Sequence, residues 1–180
     1  ALSPLARGGR RAAEATRFGR GLLIHKLLER LPAVPVAERR RIGRAYLERA
    51  ADLGASTLAA TLQAALDLLD DPAFGHVFAA SALAEAPIAG VIGGRRYAGV
   101  IDRLAIGPER VAIVDFKTNR PPPPDARMTP PAYLKQMALY RALARQAFPG
   151  RTIVTGLLWT EAPRLDELDD GLLDAFAPDG

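Results

Sequence analysis

The 180 residues are 49% hydrophobic and 24% charged, a balance that suits one globular domain with a real core. The formal charge is +4 and arginines greatly outnumber lysines, which admits a nucleic-acid partner without demanding one. With no cysteine the chain has no disulfide, thiolate metal site or cysteine-held iron–sulfur cluster, and no charge-free apolar run is long enough to span a membrane.

Residues 1–15 are polar and arginine-rich, and read as a linker or arm. A helix is expected from Thr16 to Leu31, with Leu22, Leu23, Ile24, Leu27, Leu28 and Leu31 as a broad apolar side and Pro32 closing it. Pro35 to Asp52 suggests a second helix, its basic face formed by Arg39, Arg40, Arg41 and Arg44. Ser56 or Thr57 can cap a third, running to Asp71. DPAFGHVFAA then reads as a short helix or turn. From Leu83 to Phe116 the pattern changes to three strands. Gly93-Gly94 is a two-residue hairpin turn, and Gly107 to Arg110 a second turn. A helix follows the proline run, from Pro131 to Phe148. RTIVTGLLWT reads as an interior strand. The acidic residues after Pro163 look peripheral, with one short helix in DELDDGLLDAF. Helices, then a three-strand meander, then helix and strand predict an α/β layer with a mixed sheet.

The turns fix a register. Folding the second hairpin with Gly107 facing Arg110 sets Ile106 against Val111, Leu104 against Ile113 and Asp102 against Asp115. Lys117 then falls opposite Val100. Folding the first hairpin on Gly93-Gly94 sets Glu85 opposite Asp102. One row thus gathers Glu85, Asp102 and Asp115 beside Lys117, provided no bulge shifts it. Like charges opposite one another destabilise a sheet, so the cluster calls for a reason. A hard divalent cation with oxygen ligands supplies one, and a nearby lysine suits phosphodiester hydrolysis. The alternative is a surface ion pair between Asp115 and Lys117, worth little.

GVIDRL, then VDFKTNR, then QMALY in the next helix resemble the RecB-type branch of the PD-(D/E)XK nuclease superfamily. Gly21 and His25 in GLLIHKLLERL match its upstream G-x-x-x-H context. More narrowly, FGRGLLIHKLLERLP and YAGVIDRL resemble the C-terminal nuclease domain of AddA-type helicase–nucleases of double-strand break repair. The resemblance implies a restriction-endonuclease-like core, a central mixed sheet flanked by helices and preceded by a helical N-terminal region. It implies a single nuclease domain over 16–180: 16–82 mostly helical, 83–163 the α/β catalytic core, 164–180 a peripheral segment. Residues 1–15 would link it to a helicase portion.

The same resemblance implies Mg2+, with Mn2+ also admitted, held by His25, Asp102, Asp115 and the backbone carbonyl of Phe116. Lys117 would be the catalytic lysine. Gln136 and Tyr140 would line the site, and Glu85 matches a further acidic position more loosely. The implied activity is exonucleolytic degradation of single-stranded, 3′-terminated DNA. The implied partners are DNA, the helicase portion of the same polypeptide (where ATP would act) and an AddB-type subunit, in the bacterial cytoplasm. A nuclease-like module without activity, guiding DNA or holding a partner, is the alternative.

On residue types alone His25 reads equally as a core histidine, and Gln136 and Tyr140 as the polar edge of a packed helix, which Tyr133 extends. His76 reads as structural or exposed. Arg95, Arg96 and Arg103 flank the site and Arg120 follows it, as phosphate contacts would. There is no GxxxxGK[ST] motif, so nucleotide hydrolysis is not assigned to these residues.

Overall fold

The computed structural model describes residues 19–119 and 121–178. The expected arm at 1–15, the expected helix start at Thr16 and the phosphate contact assigned to Arg120 lie outside the described residues. The chain divides after Leu68 into two compact units.

The first unit is helical. Helix α1 covers 19–30 and ends in a 3-10 turn at Leu31–Ala33, where Pro32 stops it. Helix α2 spans Val36–Ala50, and α3, Ala55–Asp70, runs out of this unit into the next. Three of the helical stretches converge on Gly43. A Cβ there would meet Leu62 Cδ1 at 2.6 Å and Leu31 Cδ1 at 3.2 Å, so the absence of a side chain lets the leucines close.

The second unit is a five-stranded sheet with a helix packed on it. Strands β1 (Ala82–Ile92), β2 (Arg95–Ile106), β3 (Arg110–Lys117), β4 (Thr152–Trp159) and β5 (Arg164–Leu168) lie in that order. All neighbours are antiparallel except β3 and β4, which are parallel. A parallel pair needs a crossover, and α4 (Pro131–Ala147) provides it. Leu134, Met137, Ala138, Tyr140, Leu143 and Ala144 of α4 are buried with Ile88, Ile101, Ile113, Leu157 and Trp159 of the sheet. Helix α5 (Asp170–Asp174) packs on α4, where the buried Arg141 binds Asp170 at 2.5 Å and Asp174 at 2.6 Å. This is a restriction-endonuclease-like α/β core, a mixed sheet flanked by helices and preceded by a helical region.

Both turns set the expected register. Ile92 pairs with Arg95 across glycines with φ 54° and 74°, and Ile106 pairs with Val111, closed by Gly107 N–H donating to Arg110 O at 2.8 Å. The tail holds the expected short helix and also a strand that was not expected: RLDEL lies at the edge of the sheet, pairing from Thr155↔Leu168 to Trp159↔Arg164. Its acidic residues are spent locally: Asp166 Oδ2 accepts from Trp159 Nε1 at 2.7 Å and faces Arg164 at 2.7 Å.

Candidate active site

The middle strands separate where the acidic residues begin. Strand β2 pairs with β1 along nearly its whole length, and β3 with β4 from Arg110 to Lys117. Between them, β2 and β3 share pairs only from Ile106↔Val111 to Arg103↔Val114. Asp102 and Asp115 are the next residues on each strand. Two carboxylates directly opposed would repel, and the ladder stops one step before that pairing. Asp102 Oδ2 instead accepts the Phe116 N–H at 2.7 Å, a charge-assisted bond from side chain to strand backbone. Asp115 turns to Lys117, with Oδ2 and Nζ 2.5 Å apart.

Glu85 is held in a strained backbone. Its φ is 49°, the left-handed region, in the middle of β1. The flanking pairs Ala84↔Arg103 and Ala86↔Ile101 bracket it against Asp102, as the turn-based register expects. Carboxylate oxygens of the two residues lie within 4.8 Å of each other. Alternation also breaks here. Ile101 and Leu104, three apart, both join the core, whereas strict alternation would put them on opposite faces. A left-handed residue in a strand costs about 1–3 kcal/mol. That cost falls where the Glu85 and Asp102 carboxylates meet, and such a pair of oxygen donors is a candidate divalent-cation site.

Lys117 ends β3 and has little freedom. Its side chain is 12% exposed and that of Asp115 is 4%. Its ammonium reaches Asp115, donates to Gln136 Oε1 at 2.8 Å, and lies 4.2 Å from the centre of the Tyr133 ring. Its backbone carbonyl accepts from Thr160 N–H at 2.9 Å, fixing the strand end from the β4 side. Gln136 Nε2 donates to the Tyr140 hydroxyl at 3.2 Å, which donates to Val100 O at 2.9 Å. The line from Lys117 through Gln136 and Tyr140 thus ends on the backbone of β2, two residues before Asp102. Gly99 makes this approach possible. A Cβ there would meet Tyr140 Cε1 at 2.5 Å.

Glu85, Asp102, Asp115, Lys117, Gln136 and Tyr140 therefore converge on the end of the second unit's sheet where β2 and β3 part. His25 is half-buried on α1, in the helical unit. The arginines fare differently. Arg95 and Arg96 are exposed at the tip of the β1–β2 hairpin, six or seven residues from Asp102, or about 20 Å at the rise of a strand. Arg103, expected among the phosphate contacts, is 3% exposed, and this expectation is corrected. Its Nε donates to Val77 O at 3.3 Å and its guanidinium lies 5.7 Å from the centre of the Phe78 ring. Desolvation by burial lowers its pKa. Adjacency to Asp102 suggested the contact, but neighbours along a strand point to opposite faces.

The sequence reading puts Asn119 only on the rim of the site, with Thr118 and Arg120, and Tyr133 only on the polar edge of the helix. The Tyr133 hydroxyl donates to Asn119 Oδ1 at 2.9 Å. The signal for Tyr133 was its place one turn before Gln136. For Gly99 it was a glycine inside a strand, which marks a close approach by another group. A cavity of about 480 Å3, bounded by residues such as His76, Ala112, Val114 and Glu167, includes none of these site residues in its lining.

Comparison with known proteins places the sequence pattern of the PD-(D/E)XK nuclease superfamily on residues 3–169. No curated protein matches the chain. The crystal structure of a provisionally assigned exonuclease from Eubacterium rectale is similar, with a TM-score of 0.58 and 16% identity over 87% of this chain. The chain spans 62% of that protein, and at this identity the likeness shows the fold alone. The crystal structure of SSO0001 has 17% identity over 84% of this chain and 71% of its own, with a TM-score of 0.36, too distant to bear on the fold.

Proposed function

The chain belongs to the PD-(D/E)XK nuclease superfamily, and from that premise we propose that it is a metal-dependent DNA nuclease whose centre is the Glu85, Asp102, Asp115 and Lys117 cluster. The observation that carries the reading is the position of Asp115 and Lys117. They form a nearly buried ion pair at the strand end, on either side of Phe116, whose N–H bonds Asp102, and not the solvated surface pair that the alternative required.

The donor set fits a hard cation. Glu85 and Asp102 offer carboxylate oxygens within 4.8 Å of each other, a pairing that suits Mg2+ and also Mn2+. Asp102, Asp115 and the Phe116 carbonyl are the proposed ligands, with Glu85 beside Asp102, and the G-x-x-x-H sequence context alone adds His25 to the proposal. Such a cation supplies Lewis acidity and a more acidic bound water. The protein supplies the rest. Asp102 anchors the β3 backbone through Phe116 N–H, so the two strands hold a fixed spacing. Asp115 and Gln136 aim the Lys117 ammonium, which orients the attacking water or meets charge developing on the phosphate. Tyr140 fixes Gln136.

The finer reading is exonucleolytic degradation of single-stranded DNA ending 3′, delivered by an ATP-driven helicase portion of the same polypeptide in double-strand break repair. An AddB-type subunit is the proposed partner, in a bacterial cytoplasm. The AddA-type sequence contexts around His25, Asp102 and Asp115 support it. The exposed Arg95 and Arg96 suit backbone contacts beyond the centre. Among the described residues no helix is long and apolar enough to cross a membrane.

The test is cleavage of end-labelled single-stranded DNA with and without Mg2+, comparing the parent with Asp115→Ala. Magnesium-dependent cleavage in the parent, reduced at least about 100-fold in the variant, is the expected result. Equal activity in both would reject this centre. Tight DNA binding without cleavage by either would favour the inactive guiding module.

A further inference from the structure

Lys117 has a neighbour that the nuclease reading leaves without a role. The Tyr133 ring lies under the ammonium at 4.2 Å, and its hydroxyl donates to Asn119 Oδ1 at 2.9 Å. The ammonium has three N–H donors. Asp115 and Gln136 take two directions, and the π-face of Tyr133 accepts the third. Trp159, fully buried, stands 6.4 Å from the Tyr133 ring, so the ring is braced from the β4 side. Asn119 lies just beyond β3, on the segment that leaves the site toward the prolines.

We propose that Tyr133 is a positioning residue for Lys117, its ring holding the ammonium and its hydroxyl tying that position to the strand exit at Asn119. The inference rests on the nuclease reading for its effect on rate, but its geometry stands apart from it. A lysine side chain is flexible, and two polar partners leave its ammonium free to swing about them. A ring face removes that freedom without adding charge. Because the same ring is bonded to Asn119, a change in the course of the strand exit moves the ring, and with it the lysine.

Three lysines, Lys26, Lys117 and Lys135, occur in the sequence, so their ε-methylene signals are separable in lysine-labelled protein. The Lys117 signal in the parent is expected upfield of the other two, from the ring current of Tyr133. Tyr133→Phe should keep that shift and Tyr133→Leu should abolish it. For Mg2+-dependent cleavage, Tyr133→Leu should lower kcat about tenfold with KM little changed, and Tyr133→Phe should lose less. Asn119→Ala should reproduce the Tyr133→Phe change, and the two together should add nothing further. An unshifted Lys117 signal in the parent, the same signal in Tyr133→Leu, or equal kcat losses for Leu and Phe would overturn the proposal. If Tyr133→Leu does not fold, the Phe and Asn119→Ala pair decides it, additive losses being the overturning result. If the parent cleaves no DNA, the nuclease reading fails, while the Lys117 signal still decides where the ring holds the lysine.

Discussion

Two residues in this fold spend stability in ways that separate function from folding. Glu85 sits at φ 49°, where glycine is at ease and glutamate is not. Glu85→Gly removes the carboxylate and relieves the backbone, although the freer glycine costs part of that gain in the unfolded chain. Thermal unfolding should therefore stay within about 1 kcal/mol of the parent, while Mg2+ affinity by calorimetry should fall about tenfold or more. A large loss of stability with unchanged metal affinity would make Glu85 a structural residue. Arg103 is the converse case. It is a buried cation whose Nη2 has no partner among the described residues, and whose bond to Val77 O is long at 3.3 Å. Burial lowers its pKa, which is to say that the folded state disfavours its charged form. Arg103→Met keeps the stem against Phe78 and removes the charge. Denaturant unfolding should show a gain of about 1–3 kcal/mol, and a loss would mean that the guanidinium holds β2 in place.

At the scale of elements, the hairpins were legible and the centre only partly so. Gly93-Gly94 and Gly107 to Arg110 fix the register because turn chemistry leaves few choices, and alternation then carries it along the strands. The register brings Asp102 and Asp115 to adjacent places. It does not tell that β2 and β3 part there, because that depends on what each carboxylate finds to bond, Phe116 N–H in one case and Lys117 in the other. Strand β5 was hidden for a related reason. RLDEL carries three charges in five residues and reads as tail, but Trp159 Nε1 and Arg164 satisfy Asp166 once the strand is in place. Strand β2 also joins fold to site through Gly99. In Gly99→Ala the new methyl would stand 2.5 Å from Tyr140 Cε1, and a ring packed in the core cannot swing aside cheaply. The expected cost is about 1–3 kcal/mol of stability, read by denaturant unfolding. Displacing the ring also breaks the Tyr140 bond to Val100 O and loosens Gln136, so kcat should fall at temperatures where the variant is folded. Full activity with lowered stability would detach Tyr140 from the positioning of Lys117.

For the whole molecule, the metal should be a ligand of the folded state and so a source of stability. Glu85 and Asp102 bring two carboxylates within 4.8 Å, an arrangement that the unfolded chain does not hold. A cation that binds only the folded form stabilises it by RT ln(1 + [L]/Kd), about 2.7 kcal/mol at one hundred times Kd. For a chain of 180 residues, each kcal/mol corresponds to a rise in Tm of about 2–4 °C. Saturating Mg2+ should therefore raise Tm by about 5–10 °C over protein kept in chelator. General screening by salt gives the same sign, since the net charge of +4 is also relieved by ions. The controls must separate the two. Sodium chloride at matched ionic strength should give only a small part of the rise. Asp102→Asn keeps an oxygen that can accept the Phe116 N–H while removing the charge, so it should fold and lose the magnesium-specific part. A rise that sodium chloride reproduces, or that Asp102→Asn retains in full, would reject a cation site at this pair whatever the cleavage assay gives.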